Sequence, residues 1–252
     1  MHLPERDTLA KVPEVTLVFW LIKILATTLG ETGGDALSMS MNLGYLISTG
    51  IFLVIVVAAV ALQIHAKKFS TPIYWMTIIA TTTVGTTLAD FTDRSLGIGY
   101  AGGSTVLLSL LFASLFLWHH TLGTIDIGSV TSKKSELFYW ITIVFSQTLG
   151  TALGDWVADT EGFGYLVSAA IFSSALALVA LAYVATRISH TILFWSAFIL
   201  TRPLGAVIGD FLDKPLDKGG LELSRYSASL VLLLLIVIFM FARKQKPAQT
   251  NH

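Results

Sequence analysis

The chain has no cysteine, which rules out disulfides, thiolate metal sites and thiol catalysis together. Charge is scarce as well. Asp, Glu, Lys and Arg make up 13% of the 252 residues, where soluble domains carry about a quarter. Sixteen basic and sixteen acidic residues cancel, so nothing points to a nucleic-acid partner. No Ser/His/Asp arrangement, metal-binding histidine pattern or phosphate loop is present, and the polar connections are too short to hold a catalytic domain. An enzyme is therefore not expected. Residues 1–12 carry Glu5, Arg6, Asp7 and Lys11 without an apolar core or a small-residue cleavage site, so they read as a short cytosolic tail rather than a signal peptide.

What remains is apolar. Hydrophobic residues make up 54% of the chain and mean hydropathy is +0.74, the composition of a membrane protein. Eight runs, near 14–38, 42–64, 71–92, 101–120, 136–158, 164–186, 190–212 and 224–243, approach or exceed the roughly 20 residues a spanning helix needs. Four times a tryptophan is followed by glycine ten residues on, aspartate fifteen on, and then a tyrosine. The sets are Trp20/Gly30/Asp35/Tyr45, Trp75/Gly85/Asp90/Tyr100, Trp140/Gly150/Asp155/Tyr165 and Trp195/Gly205/Asp210/Tyr226. The period is 55 residues within a half and 120 between halves, so one supersecondary unit is used four times. The expected fold is all-α and polytopic: eight transmembrane helices from four parallel helical-hairpin repeats, in two four-helix halves, 1–125 and 126–252.

Lys and Arg counts set the orientation. The tail, the even-to-odd loops and the C-terminus hold ten basic residues, against Arg94, Lys214, Lys218 and Arg225 in the other loops. Both termini are then cytoplasmic, in an inner membrane, and the aspartate-bearing ends face outward. The tryptophans, about 22 Å along the helix from the aspartates, are expected at the cytoplasmic interface and the tyrosines at the outer one, as aromatic belts.

Residues four apart on a helix drift only about 40°. Lys23, Thr27, Glu31 and Asp35 therefore form one polar stripe, matched by Thr82/Thr86/Asp90, Gln147/Thr151/Asp155 and Arg202/Ala206/Asp210. Polar stripes on four odd-numbered helices are costly against lipid, at about 2.5–3.5 kcal/mol per central charge. They are expected to face a shared interior, with the even helices outside. Gly30, Gly85, Gly150 and Gly205 suit close helix packing there. Clustered carboxylates repel, so Asp35, Asp90, Asp155 and Asp210 must hold protons or a cation. With Glu31, Thr86 and Thr151 the donors are all oxygen, suited to hard cations such as Mn²⁺, Ca²⁺ or Mg²⁺. No histidine falls in this set; His65, His119, His120 and His190 sit at the opposite ends, so zinc, copper and nickel are not expected as principal ligands.

Glu31, Lys23 and Arg202 break the repeat symmetry, and Arg202, Lys23 and Gln147 are the candidates for gating or an ion pair. If the odd helices ring a centre in order, the first and seventh are neighbours, and Glu31 meets Arg202. Such a pair either fixes packing or acts as a tethered cation competing with a substrate ion. Lys23 lies near the membrane midplane, where it is a neutral amine if no acid reaches it.

The run TTLGETGGD at Thr27–Asp35, echoed as TTVGTTLAD, QTLGTALGD and RPLGAVIGD, resembles an uncharacterised bacterial family of multi-pass inner-membrane ("membrane-anchored") proteins across nearly the whole chain. A weaker similarity is to calcium and manganese–proton exchangers marked by Glu-x-Gly-Asp. Here Glu31 and Asp35 stand one residue further apart, Ala36 replaces the basic residue, and parallel repeats differ from that family's inverted halves. Together these readings make a transporter of a hard cation, with Mn²⁺ the leading candidate and protons or membrane potential as the coupling, the first expectation. It carries no cofactor; its partners are the lipid bilayer, the inorganic cation and protons. A pseudo-fourfold cation channel and a non-transporting membrane scaffold or assembly protein are the alternatives.

Overall fold

A computed structural model describes residues 10–160 and 162–249. Glu5, Arg6 and Asp7 of the tail and Glu161 lie outside the described residues. The chain is all-helical, with α1 Leu17–Asp35, α2 Gly44–His65, α3 Thr71–Asp90, α4 Gly99–Leu122, α5 Lys133–Asp155, α6 Gly164–Ala185, α7 His190–Asp213 and α8 Arg225–Ala242. Each lies within a few residues of its expected run. In the first three repeats a five-residue π turn follows the aspartate: Ala36–Ser40, Phe91–Ser95 and Trp156–Thr160. The next helix then starts at a glycine with positive φ, Gly44, Gly99 or Gly164, directly before the repeat tyrosine. Only glycine enters that conformation without strain, which accounts for the Gly-Tyr pairs. In the fourth repeat the helix runs on to Asp213 and a 3₁₀ turn, Leu216–Lys218, takes up the extra residues.

The odd helices form a closed ring, α1 against α3, α3 against α5, α5 against α7, and α7 against α1. The even helices lie outside it and keep long apolar faces exposed. Their seating differs from the expected hairpins. Rather than folding back on the inner helix of its own repeat, each outer helix packs on that of the next: α2 on α3, α4 on α5, α6 on α7, with α8 closing on α1. In the first three repeats the π turn and the left-handed glycine carry the chain sideways at the end of the inner helix, which places the outer helix over the following interface; the longer connection 214–224 does so in the fourth.

Among the described residues six helices (α2 and α4–α8) are long and apolar enough to cross a membrane; α1 and α3 are not among them. Their polar residues account for that. Lys23, Glu31 and Asp35 interrupt α1, and α3 is rich in threonine, nearly all of it buried in the ring.

Repeat glycines set the ring's closeness. A Cβ on Gly30 would overlap Thr82, one on Gly150 would overlap Arg202, and one on Gly205 would overlap Thr27. At Gly85 it would stand 2.9 Å from the Gln147 backbone. Thr27, Thr82, Gln147 and Arg202 occupy one position of the repeat, so every ring helix presses that residue into the glycine of its neighbour.

The ring end nearer the termini is filled by aromatic side chains. Trp75, Trp140 and Trp195 are buried with Tyr74, Tyr139, Phe19 and Phe198, and the Tyr74 and Tyr139 hydroxyls are hydrogen-bonded at 2.6 Å. The tryptophans are therefore not a lipid-facing belt. Their position, fifteen residues before the aspartate, keeps them on the inward stripe; of the four only Trp20 is half-exposed. Nor are the tyrosines uniform anchors. Tyr45 and Tyr100 accept hydrogen bonds from Arg94, Tyr165 is buried, and Tyr226 is exposed. Beneath the aromatics, residues 10–14 and 245–248 clasp each other: Glu14 N–H donates to the Lys246 carbonyl at 2.8 Å and Ala248 N–H to Val12 at 2.7 Å. Lys11 pins this clasp to Glu136 at 2.7 Å.

Candidate cation site at the aspartate end of the ring

Three levels of polar side chains line the ring axis, one helical turn apart. At the middle level Arg202, fully buried, reaches the axis from α7. Its Nη2 donates to Glu31 Oε2 at 3.1 Å and to the hydroxyls of Thr86 and Thr151 at 2.5 Å each. Thr86 also lies 3.3 Å from Glu31 Oε2. One guanidinium thus gathers side chains from α1, α3 and α5. Pro203 follows it and leaves the Ile199 carbonyl without its usual helical donor.

One turn outward the four repeat aspartates are all buried, and they divide into two pairs. Asp35 and Asp210 share Lys214, whose Nζ lies 2.5 Å from Asp35 Oδ2 and 2.9 Å from Asp210 Oδ1. Asp90 and Asp155 share Arg94, at 3.1 Å and 2.9 Å. Each basic residue stands four residues after the aspartate of its own repeat and reaches across to that of the next, so the two clasps are related by the twofold repeat of the halves. Arg225 adds a contact to Asp213 at 2.6 Å. Burial alone would lower Lys214, but Asp210 and Asp35 hold its ammonium well above the usual range. Asp90 and Asp155 likewise outweigh the burial of Arg94 and raise it.

Of the expected ligands, Glu31, Asp35 and Asp210 come together: one oxygen of each lies within 4.8 Å of the others, all buried. An all-carboxylate set of this kind fits a hard cation. The Lys214 ammonium stands among them, so an incoming ion competes with it. Asp90 and Asp155 lie on the other side of the ring with Arg94. Thr86 and Thr151 contact Arg202, and Lys23 and Gln147 face each other one turn inward at 3.4 Å. Among the described residues the histidines form no comparable group.

Arg94, Lys214 and Arg225 entered the sequence reading only as loop charges. The four-residue spacings Asp90/Arg94 and Asp210/Lys214 were the signal that marked two of them. Six buried aspartates here, Asp35, Asp90, Asp93, Asp155, Asp210 and Asp213, face three basic groups, an excess of three acids. Among the described residues Asp35 Oδ1, Asp155 Oδ1, Asp213 Oδ1 and both Asp93 oxygens have no hydrogen-bond partner.

Four copies of one family model match residues 18–69, 73–124, 138–189 and 193–245, under the description Repeat of Unknown Function (DUF347). The chain belongs to this family. Each DUF347 repeat begins two residues before the repeat tryptophan and takes in one ring helix and the outer helix that follows it. The match leaves out 125–137, the connection between the halves. No curated protein and no solved structure matches the chain, and nothing extends the likeness to the Glu-x-Gly-Asp exchangers.

Proposed function

We propose that this DUF347 protein is an eight-span inner-membrane transporter of a hard cation, with a divalent metal such as Mn²⁺ the first candidate. The observation that carries the reading is the buried triad Glu31, Asp35 and Asp210, set in a cluster whose acids outnumber its bases. Buried carboxylates in such excess hold cations or protons. The ring shields the polar residues of α1 and α3 from lipid, so both helices can span despite their low hydropathy. The Lys and Arg bias then places the termini in the cytoplasm and the aspartates outside.

Four of the ion pairs described above join residues of 1–125 to residues of 126–252: Arg94 to Asp155, Lys214 to Asp35, Arg202 to Glu31, and Lys11 to Glu136. Rocking of one half against the other would break the outer contacts or the inner ones in turn, the motion that parallel repeats allow. In this reading Lys214 is a resident cation that the substrate displaces, and Arg202 closes the path below it. Arg202 and the aromatic layer fill the axis, which speaks against a continuously open channel.

A scaffold role has one observation in its favour, namely that each aspartate pair already has a basic partner from the chain. Whole-cell metal content separates the two. Cells expressing the chain should gain or lose one metal selectively, and cells expressing Asp210→Asn at matched level should not. If no metal changes with the wild-type chain, the metal-transport reading fails; lowered stability of Asp210→Asn without any ionic effect would point to the scaffold.

A further inference from the structure

The end of the ring nearer the termini carries two straps, and they are not built alike. One is the connection between α4 and α5. Trp195 Nε1 donates to its Ile125 carbonyl at 3.0 Å, and Val130, 1% exposed, belongs to the packed cluster of ring aromatics. The other lies 120 residues on, the counterpart of that connection under the twofold repeat of the halves. There Trp75 Nε1 donates to Gln245 Oε1 at 2.9 Å, and Val12, also 1% exposed, belongs to the same cluster. The first strap is unbroken peptide. The second is two chain ends, 10–14 and 245–248, laid side by side.

The fastenings of this split strap reach α2, α3 and α5. Lys11 Nζ donates to the Gln63 and Ile64 carbonyls near the end of α2, at 3.2 and 3.0 Å, besides its pair with Glu136 of α5. Gln63 Nε2 returns a bond to the Lys11 carbonyl at 2.9 Å, and Gln245 holds α3 through Trp75. Between the two ends themselves, among the described residues, there are two hydrogen bonds, from the Glu14 and Ala248 N–H groups. Pro13 and Pro247 face each other between those bonds, and neither has an N–H to add a further rung. Two backbone hydrogen bonds exchange for water at small net cost, whereas an unbroken peptide cannot part. Val12 shares its cluster with Trp75, Trp140 and Trp195, so its withdrawal takes packing away from the layer that fills the axis. We infer that the joined termini are the gate at this end of the ring, shut while 10–14 and 245–248 stay together and opened when they part. The inference rests on the transport reading and deepens it, by naming the contact whose breakage opens the end away from the aspartates.

Two measurements test it, and the lack of native cysteine lets each use thiols placed at will. Val12→Cys and Val130→Cys probe equally buried positions, one on each strap. In the purified full chain in detergent, a water-soluble maleimide should modify Val12→Cys faster than Val130→Cys by about tenfold or more, because only the split strap opens. Equal rates overturn the gate. Pro13→Cys/Pro247→Cys sets two thiols in a non-hydrogen-bonded antiparallel pair, whose Cα atoms stand about 4.5 Å apart, within reach of a disulfide. In proteoliposomes offered Mn²⁺, Ca²⁺ or Mg²⁺, the oxidised double variant should lose flux by about tenfold or more and regain it on reduction. Equal flux in the oxidised and reduced forms also overturns the gate. If the wild-type chain moves none of these ions, the transport reading fails on that result, and the two labelling rates still support or overturn the parting of the ends.

Discussion

Asp93 shows how burial without a partner acts on a single side chain. Its carboxyl sits where a Cβ on Gly103 would overlap it, neither oxygen is hydrogen-bonded, and burial, outweighing nearby Arg94, pushes it up to about 6. A carboxyl raised in the folded state contributes stability that is fully present below its ordinary value of about 4. That contribution is lost as pH rises through about 6. Unfolding midpoints measured from pH 4 to 7.5 should therefore fall more steeply for the wild-type chain than for Asp93→Asn, and the variant should be the more stable at pH 7.5. Glu31 presents the opposite case, a buried acid that is paired. Glu31→Gln leaves Arg202 without its counter-charge and should lower stability by about 3 kcal/mol or more in denaturant titration. If the pair only fixes packing, transport by the folded fraction will persist; if Glu31 binds the ion, transport will be lost.

Among the helices, the ring was legible in advance and the outer layer was not. Four polar stripes in phase with the helix repeat have one arrangement that keeps them from lipid, and ring closure then brings Glu31 to Arg202. The apolar outer helices carry no such mark. α2 and α6 are hydrophobic nearly all round, and a helix without a polar face gives no sign of which neighbour it will cover. Their seating on the next repeat depends on the π turn and the glycine after it, local geometry with no hydrophobic signature. The aspartates' partners were half legible: the spacing of Asp90 to Arg94 shows the bond within a helix, but Asp155 joins only through helix adjacency. Glycine positions sort by the same logic. Gly85→Ala places its methyl 2.9 Å from a backbone carbon of α5 and 3.0 Å from the Thr148 nitrogen, and should cost about 1–3 kcal/mol. Gly33 has nothing within 4 Å of an added Cβ, so Gly33→Ala should be neutral or stabilise by up to about 1 kcal/mol. Paired thermal melts of the two variants check both.

For the whole molecule, the seating of each outer helix on the inner helix of the next repeat has a topological consequence. A chain cut after the second repeat has nowhere within itself to put α4, whose seat is α5, and nothing to cover α1, which α8 covers in the intact protein. The fragment 1–125 is left with one surplus outer helix and one bare inner helix, and these complement each other. Two copies arranged head to tail around the axis complete the circle, each lending its last helix to the other. Its mass in detergent, by light scattering with the detergent contribution subtracted, should be that of a dimer. A stable monomer would mean that the outer helix can turn back onto its own repeat. What looks from the sequence like four beads on a string is joined as a bracelet is, each link fastened by the one before it, with the final link serving as the clasp.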